Sequence, residues 1–307
     1  MTTTVGRGAD LAALPSDLRE TATAGDAQVA DTADGLRSRV LVLLHGQPGS
    51  AADWQQMAGR LPAGLQAVAV DRPGYGANPR PPAGFAANAR AVLEELDSRG
   101  IQRAVLVGHS YGGGVALMAA SLAPHRVEAV VLLASVGPGC VNRLDRLLAA
   151  RGAGPLCALV LWRLMPWVAR AWLAWMTRHG RSLAPDEHVN LQVLAHAHRE
   201  SRRLWRTFLI EQRALLREME ELVAAVPSVQ APVLVLTDPE DNLVPLDTAR
   251  RLAHGLPDAR LGLIRSAGHH LPRRAPGAVA DAIAALLQVL DASDPDAPSV
   301  SSEASPN

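Results

Sequence analysis

Lysine is missing altogether. All 30 basic residues are arginine, and 30 aspartates and glutamates balance them to a formal net charge of zero at pH 7. A chain with no positive excess lacks the electrostatic footprint of a nucleic-acid binder, so no such partner is expected. Cysteine is scarce as well: Cys140 and Cys157 stand alone, with neither metal-ligand nor redox spacing. That excludes a disulfide scaffold and a zinc module, and it fits a reducing, cytoplasmic setting. Met1 to Gly8 has no basic stretch followed by an apolar run, so no secretory signal is expected. Long uninterrupted hydrophobic runs are lacking too. Pro155 to Met176 comes nearest, but Pro166 interrupts it and it contains Arg163 and Arg170, each costing about 2.5–3.5 kcal/mol at a bilayer centre. No stable membrane span is expected there.

What is present is an alternation of short apolar runs with amphipathic or Ala-rich stretches. Buried strands are expected at 39–44, 65–70, 104–107, 127–133, 232–237 and 260–264. Helices are expected between them, at 50–60 behind a Ser50/Asp53 cap, then at 85–98, 115–124, 246–254 and 276–290. This alternation predicts an α/β fold, a mostly parallel central sheet with helices on both faces. The pattern breaks from 137 to 229, where Arg, Leu, Ala and Trp dominate and no buried-strand signal occurs. That stretch reads as a helical cap inserted into a core made of 38–136 and 230–290. Residues 1–37 are weakly periodic, with at most a helix near 10–20 and an edge strand near 27–31. The Ser/Pro/Asp-rich tail 291–307 is expected to be disordered.

The most informative stretch is 103–124. A strand runs into Gly108-His109-Ser110-Tyr111-Gly112, and an Ala/Leu/Met-rich helix runs out of it. G-x-S-x-G in that strand-to-helix context is the setting in which a serine is held exposed on a sharp turn. Residues two before and two after such a serine approach neighbouring backbone closely, so glycine is required at 108 and 112. The helix N-terminus behind Ser110 favours a developing oxyanion.

A serine is a poor nucleophile unless a base and an orienting acid converge on it. Candidates follow two later strands: Asp238, Glu240 and Asp241 after the first, His269 and His270 after the second. Both groups lie beyond the C-terminal ends of strands, where open α/β sheets bind ligands. Other candidates are weaker. His196 and His198 diverge on a helix, and with Glu187 and His188 nearby they still do not make a metal site. Glycines 112–114 lack phosphate-loop spacing. Arginines 199, 202, 203 and 206 read as a solvated helix face, or as a site for an acidic substrate group.

Between about 38 and 290 the sequence resembles the α/β-hydrolase superfamily. His45-Gly46-Gln47-Pro48-Gly49 is similar to its oxyanion loop, Asp71-Arg72-Pro73-Gly74-Tyr75-Gly76 to a turn after one of its strands, and Gly108 to Gly112 to its nucleophile elbow. Asp241-Asn242-Leu243-Val244-Pro245 matches the end of its acid segment, and Gly268-His269 its histidine loop. The resemblance therefore implies a Ser110-His269-Asp241 triad, with Asp238 standing where glycine is common. It also implies an oxyanion hole made by the backbone N–H groups of Gln47 and Tyr111, each donor worth about 3–4 kcal/mol. Pro48 has no N–H and cannot serve.

Related enzymes with an aspartate nucleophile are set aside by Ser110. The chemistry implied is hydrolysis of an ester or related acyl bond of a small, apolar substrate, with no cofactor. C–C bond hydrolysis, cofactor-free haloperoxidase or perhydrolase chemistry, and a non-catalytic ligand-binding role stay open. Tyr111 and the Arg-rich cap argue against an iminopeptidase. Five of the six tryptophans, Trp162, Trp167, Trp172, Trp175 and Trp205, fall in the cap. They are expected to line the substrate pocket, the other reading being that they join cap to core. The oligomeric state is not legible.

Overall fold

The computed structural model describes residues 39–181 and 201–293. The helix and strand expected before residue 39, the tail beyond Ser293, and Glu187, His188, His196, His198 and Arg199 lie outside the described residues; the first three residues of the tail expected to be disordered, 291–293, are helical and continue the last helix. So do the side chains of Trp162, Arg202 and Arg203.

Six strands form one parallel sheet: β1 (Arg39–Leu44), β2 (Leu65–Val70), β3 (Ala104–His109), β4 (Val127–Leu133), β5 (Val233–Thr237) and β6 (Ala259–Leu263). Their order is β2-β1-β3-β4-β5-β6. The chain therefore leaves β1 towards one edge and returns to β1's other side as β3. At such a reversal the loops after the two strands diverge and open a crevice, which is where α/β sheets bind ligands. β1 and β3 pair from Leu41↔Val105 to Leu44↔Gly108, so the loops at His45 and Ser110 are neighbours.

Alternate residues feed two apolar layers, as the strand period requires. Val42, Leu44, Val130 and Leu132 face one cluster, which includes α2 (Phe85–Ser98), α3 (Tyr111–Leu122) and α9 (Leu246–Gly255). Leu41, Leu43, Val131 and Leu133 face the other, with Trp54, Met57 of α1 (Gln55–Ala58), Leu271 of α10 (Leu271–Arg274) and α11 (Pro276–Ser293). By length and composition α11 is apolar enough to cross a bilayer, yet Val279, Ile283, Leu286 and Leu287 are packed in this core. At the expected Ser50 cap, Asp53 accepts the Ser50 N–H at 3.3 Å and a 3-10 turn precedes α1.

The described part of 137–229 is helical: α4 (Arg143–Ala149), α5 (Ala153–Leu159), a π-helical turn (Val160–Leu164), α6 (Met165–Arg178), α7 (Ser201–Arg217) and α8 (Met219–Ala225). From Ala153 to Arg178 the backbone stays helical throughout, with a π-helical turn at Val160–Leu164 just ahead of Pro166. Ala158 of α5 and Leu204, Phe208 and Leu209 of α7 pack on Tyr75 of the core.

Candidate active site

Ser110 sits where β3 turns into α3, with φ 52° and ψ −118°, a conformation that costs a non-glycine residue energy. Backbone bonds hold it there: Ser110 N–H donates to Leu133 O at 2.9 Å, and Gly113 N–H to Ser110 O at 3.0 Å. The flanking glycines are sterically required, as expected. A Cβ on Gly108 would lie 2.4 Å from Gly112 O, and one on Gly112 would lie 2.2 Å from Leu44 O.

The two later loops converge on the same place. His269 Nδ1 is 2.8 Å from Asp241 Oδ2, while Asp241 Oδ1 accepts the Leu243 and Val244 N–H groups at 2.7 and 3.0 Å. Burial alone would raise the pKa of Asp241. The hydrogen bond and charge of His269, with the two backbone donors, outweigh it and hold the carboxyl below its ordinary value. Asp241 is therefore ionised at neutral pH and fixes which nitrogen of His269 carries the proton.

Asp238, the rival acid, has another job. Its Oδ2 accepts the N–H groups of Ala267 and Gly268, both at 2.7 Å, and Oδ1 accepts that of Glu240 at 2.8 Å. The aspartate thus ties the loop after β5 to the loop after β6. His270, the rival base, lines the cavity, and burial, with His109, His269 and Arg273 nearby, pushes it down to about 2. His109 donates from Nε2 to the His269 carbonyl at 2.8 Å. Burial and His269 push it down to about 3, so it stays neutral while it pins the histidine loop.

Of the candidate oxyanion donors, Gln47 borders the same cavity as Ser110, and Tyr111 begins α3 directly after it. Neither the Gln47 nor the Tyr111 backbone N–H donates to an acceptor among the described residues. The Gln47 side chain reaches the cap instead, donating from Nε2 to Phe208 O at 2.9 Å.

Ser110, His269 and Gln47 border one cavity of about 300 Å³. Its apolar wall is Val136, Leu144, Leu148, Phe208, Leu215, Leu243 and Val244, with Asn142, Asp145 and Gln212 as the polar groups of the cap side. Cys140 also borders it, but burial pushes that thiol up to about 11, so it is no rival nucleophile.

The tryptophan expectation is corrected here. None of the four described rings lines this cavity. Trp167, Trp172 and Trp175 of α6 are 56%, 47% and 37% exposed, and Trp205 packs on the Tyr75 cluster. Composition placed these rings in the cap but could not say which way a helix turns them. On α7 Arg206 is exposed, lying over the Trp205 ring at 5.1 Å.

Sequence reasoning missed the buried group behind the oxyanion loop, made of Arg72, Tyr75 and Glu211, all within 1% of full burial. A signal existed. Glu211 occupies the stripe 204, 208, 211, 215 of α7, whose other members are apolar, so a charge there needs a partner.

The family model described as "Alpha/beta hydrolase family" matches residues 41–282. The chain belongs to this family. It is 32% identical over 251 residues to a protein provisionally named carbamate hydrolase RutD from Variovorax paradoxus strain S110, covering 79% of this chain and 88% of the relative. It is 31% identical to a pimeloyl-[acyl-carrier protein] methyl ester esterase of Aromatoleum aromaticum, over 75% of this chain and 90% of that one. To a 2-hydroxymuconate semialdehyde hydrolase of Pseudomonas putida it is 30% identical, over 74% and 79%. Among solved structures, a thermophilic esterase from Thermogutta terrifontis superposes with a TM-score of 0.65 at 19% identity, covering 83% of this chain and 91% of that one. At that identity the likeness concerns the fold alone.

Proposed function

We propose that the protein is a serine hydrolase that cleaves an ester or related acyl bond of a small, largely apolar substrate. The observation that carries this is the 2.8 Å contact between His269 Nδ1 and Asp241, with His269 and the strained Ser110 on one cavity. Asp241 holds the imidazole so that Nε2 is free to take the Ser110 proton as Oγ attacks the substrate carbonyl. The tetrahedral oxyanion is received by the N–H groups of Gln47 and Tyr111, aided by the N-terminus of α3. His269 then gives its proton to the leaving group, and water repeats the cycle on the acyl-enzyme. The mostly apolar cavity wall suits an acyl chain, and the relatives named for ester and carbamate hydrolysis act on acyl bonds of that kind. The relative named for 2-hydroxymuconate semialdehyde keeps C–C bond hydrolysis as the second reading.

The test is a panel of p-nitrophenyl esters of increasing chain length, with a carbamate and a vinylogous diketone beside it. Ester or carbamate turnover is expected, and Ser110→Ala lowers kcat by about 10⁴–10⁶-fold while leaving the fold intact. A Ser110→Ala variant with near wild-type turnover contradicts the mechanism. Turnover of the diketone alone selects the C–C reading.

A further inference from the structure

Arg72 directly follows Asp71 in the turn after β2, and its side chain is fully buried against the back of the oxyanion loop. Its guanidinium spans two parts of the molecule. Towards the core, Nε donates to His45 O and Nη2 to Gly46 O, both at 2.9 Å. Towards the cap it is paired with Glu211 of α7, whose Oε2 also accepts the Tyr75 hydroxyl at 2.6 Å. Its Cζ lies 4.9 Å from the centroids of both the Tyr75 and Tyr111 rings. Burial works against the Arg72 cation, but Glu211, Tyr75 and Tyr111 together raise its pKa in spite of that. On Glu211 burial outweighs Arg72 and Tyr75 and raises the carboxyl, so the pairing rests on geometry: the guanidinium reaches both carboxylate oxygens.

We propose that Arg72, anchored by Glu211 of the cap, is a positioning residue that aims and polarises the Gly46–Gln47 peptide, the source of one oxyanion donor. The inference rests on the acyl-transfer reading above. Gly46 O belongs to the same peptide plane as the Gln47 N–H, and in a trans peptide the two point in opposite directions. Gly46 O is held by Arg72 Nη2 and by His45 Nδ1, each at 2.9 Å. His45 Nε2 accepts the Arg72 N–H at 3.0 Å, which fixes the proton on Nδ1. Burial, together with the Arg72 charge, keeps this ring neutral. With its carbonyl clamped from behind, the peptide aims its N–H away from Arg72, towards the cavity. Hydrogen bonds to a carbonyl also strengthen the donor at the other end of the same peptide. Because Glu211 stands on α7, the seating of the cap and the geometry of the oxyanion donor share one ion pair.

Either single truncation strands a buried charge and is expected to unfold the protein, whereas apolar replacement of both partners is commonly tolerated. The variant to make is Arg72→Met with Glu211→Leu. It is expected to melt cooperatively and to keep KM for a p-nitrophenyl ester within about threefold. Its kcat should fall about 10–100-fold, short of the effect of deleting a donor outright. Affinity for a trifluoromethyl ketone, whose serine adduct carries an oxyanion, should fall by the same factor. A merely structural pair would move the melting temperature and leave the ketone affinity in step with KM. Arg72→Lys keeps the charge opposite Glu211 but cannot fork to both carbonyls, so a smaller loss in the same direction is expected whether or not the double variant folds. Wild-type kcat and ketone affinity in either folded variant overturn the inference alone. A wild-type protein that neither turns over acyl substrates nor reacts with a fluorophosphonate overturns the acyl-transfer reading, and this inference with it.

Discussion

At Ser110 the chain is held by its own backbone, while the cap is held by side chains. The turn at Ser110 needs a strand, two glycines without room for a Cβ, and main-chain bonds to Leu133 and Gly113. The cap is fastened by the Arg72–Glu211 pair, by Gln47 reaching Phe208 O at 2.9 Å, and by Thr207 Oγ1 donating to Gly74 O at 3.1 Å. A site fixed by backbone leaves a pattern of residue types at fixed spacing. A site fixed by side chains leaves almost none. The two regions should therefore break differently.

The largest separation is expected within the two histidine-and-acid loops. Asp241→Asn and His269→Ala should each lower kcat by about 10⁴-fold, because the imidazole loses its tautomer or is gone. Asp238→Asn keeps the Asp241–His269 contact but leaves one acceptor oxygen where two now serve the N–H groups of Glu240, Ala267 and Gly268. It should cost about tenfold in kcat and ~1–3 kcal/mol in stability, read from a urea midpoint. Equal effects of the two aspartates would return the acid assignment to an open question.

Next comes the backbone itself. Gly112→Ala would press a Cβ to 2.2 Å from Leu44 O, whereas Gly100, at φ +67°, has nothing within 4 Å. The first should destabilise by at least ~3 kcal/mol and the second by ~1–2 kcal/mol, the left-handed strain only. Denaturant midpoints compare them directly, and similar losses would mean that the elbow is looser than its contacts indicate.

The cap shows where sequence stops being informative. Strand positions and the strand–turn–helix at Ser110 were legible because each is tied to a periodicity or to a glycine that backbone contacts demand. The choice of Asp241 over Asp238 came only with the family motif, since both follow the same strand and only the fold shows which one faces His269. The tryptophans misled because their wall role was inferred from composition. On α6 they face outward, and the wall is made by leucines and Phe208 instead. The stripe on α7 marks Glu211 as a charge in need of a partner, but not which partner, since Arg72 lies 139 residues away.

The smallest expected effects sharpen this point. Trp172→Ala, at a ring 47% exposed, should leave the ester chain-length preference unchanged and stability within ~1 kcal/mol. Leu148→Ala, on the cavity wall, should shift the preference towards longer chains by about tenfold in kcat/KM. A reversed outcome would restore the tryptophans to the pocket.

The central claim, that Ser110 is activated by His269 and held ready by its turn, is tested most directly by covalent labelling. The protein is treated with a fluorophosphonate and the modified peptide is identified by mass spectrometry, beside the Ser110→Ala and His269→Ala variants. The account predicts one adduct, on Ser110, absent from Ser110→Ala and formed far more slowly in His269→Ala. No adduct on the folded wild-type protein, or an adduct on another residue that persists in Ser110→Ala, would contradict it.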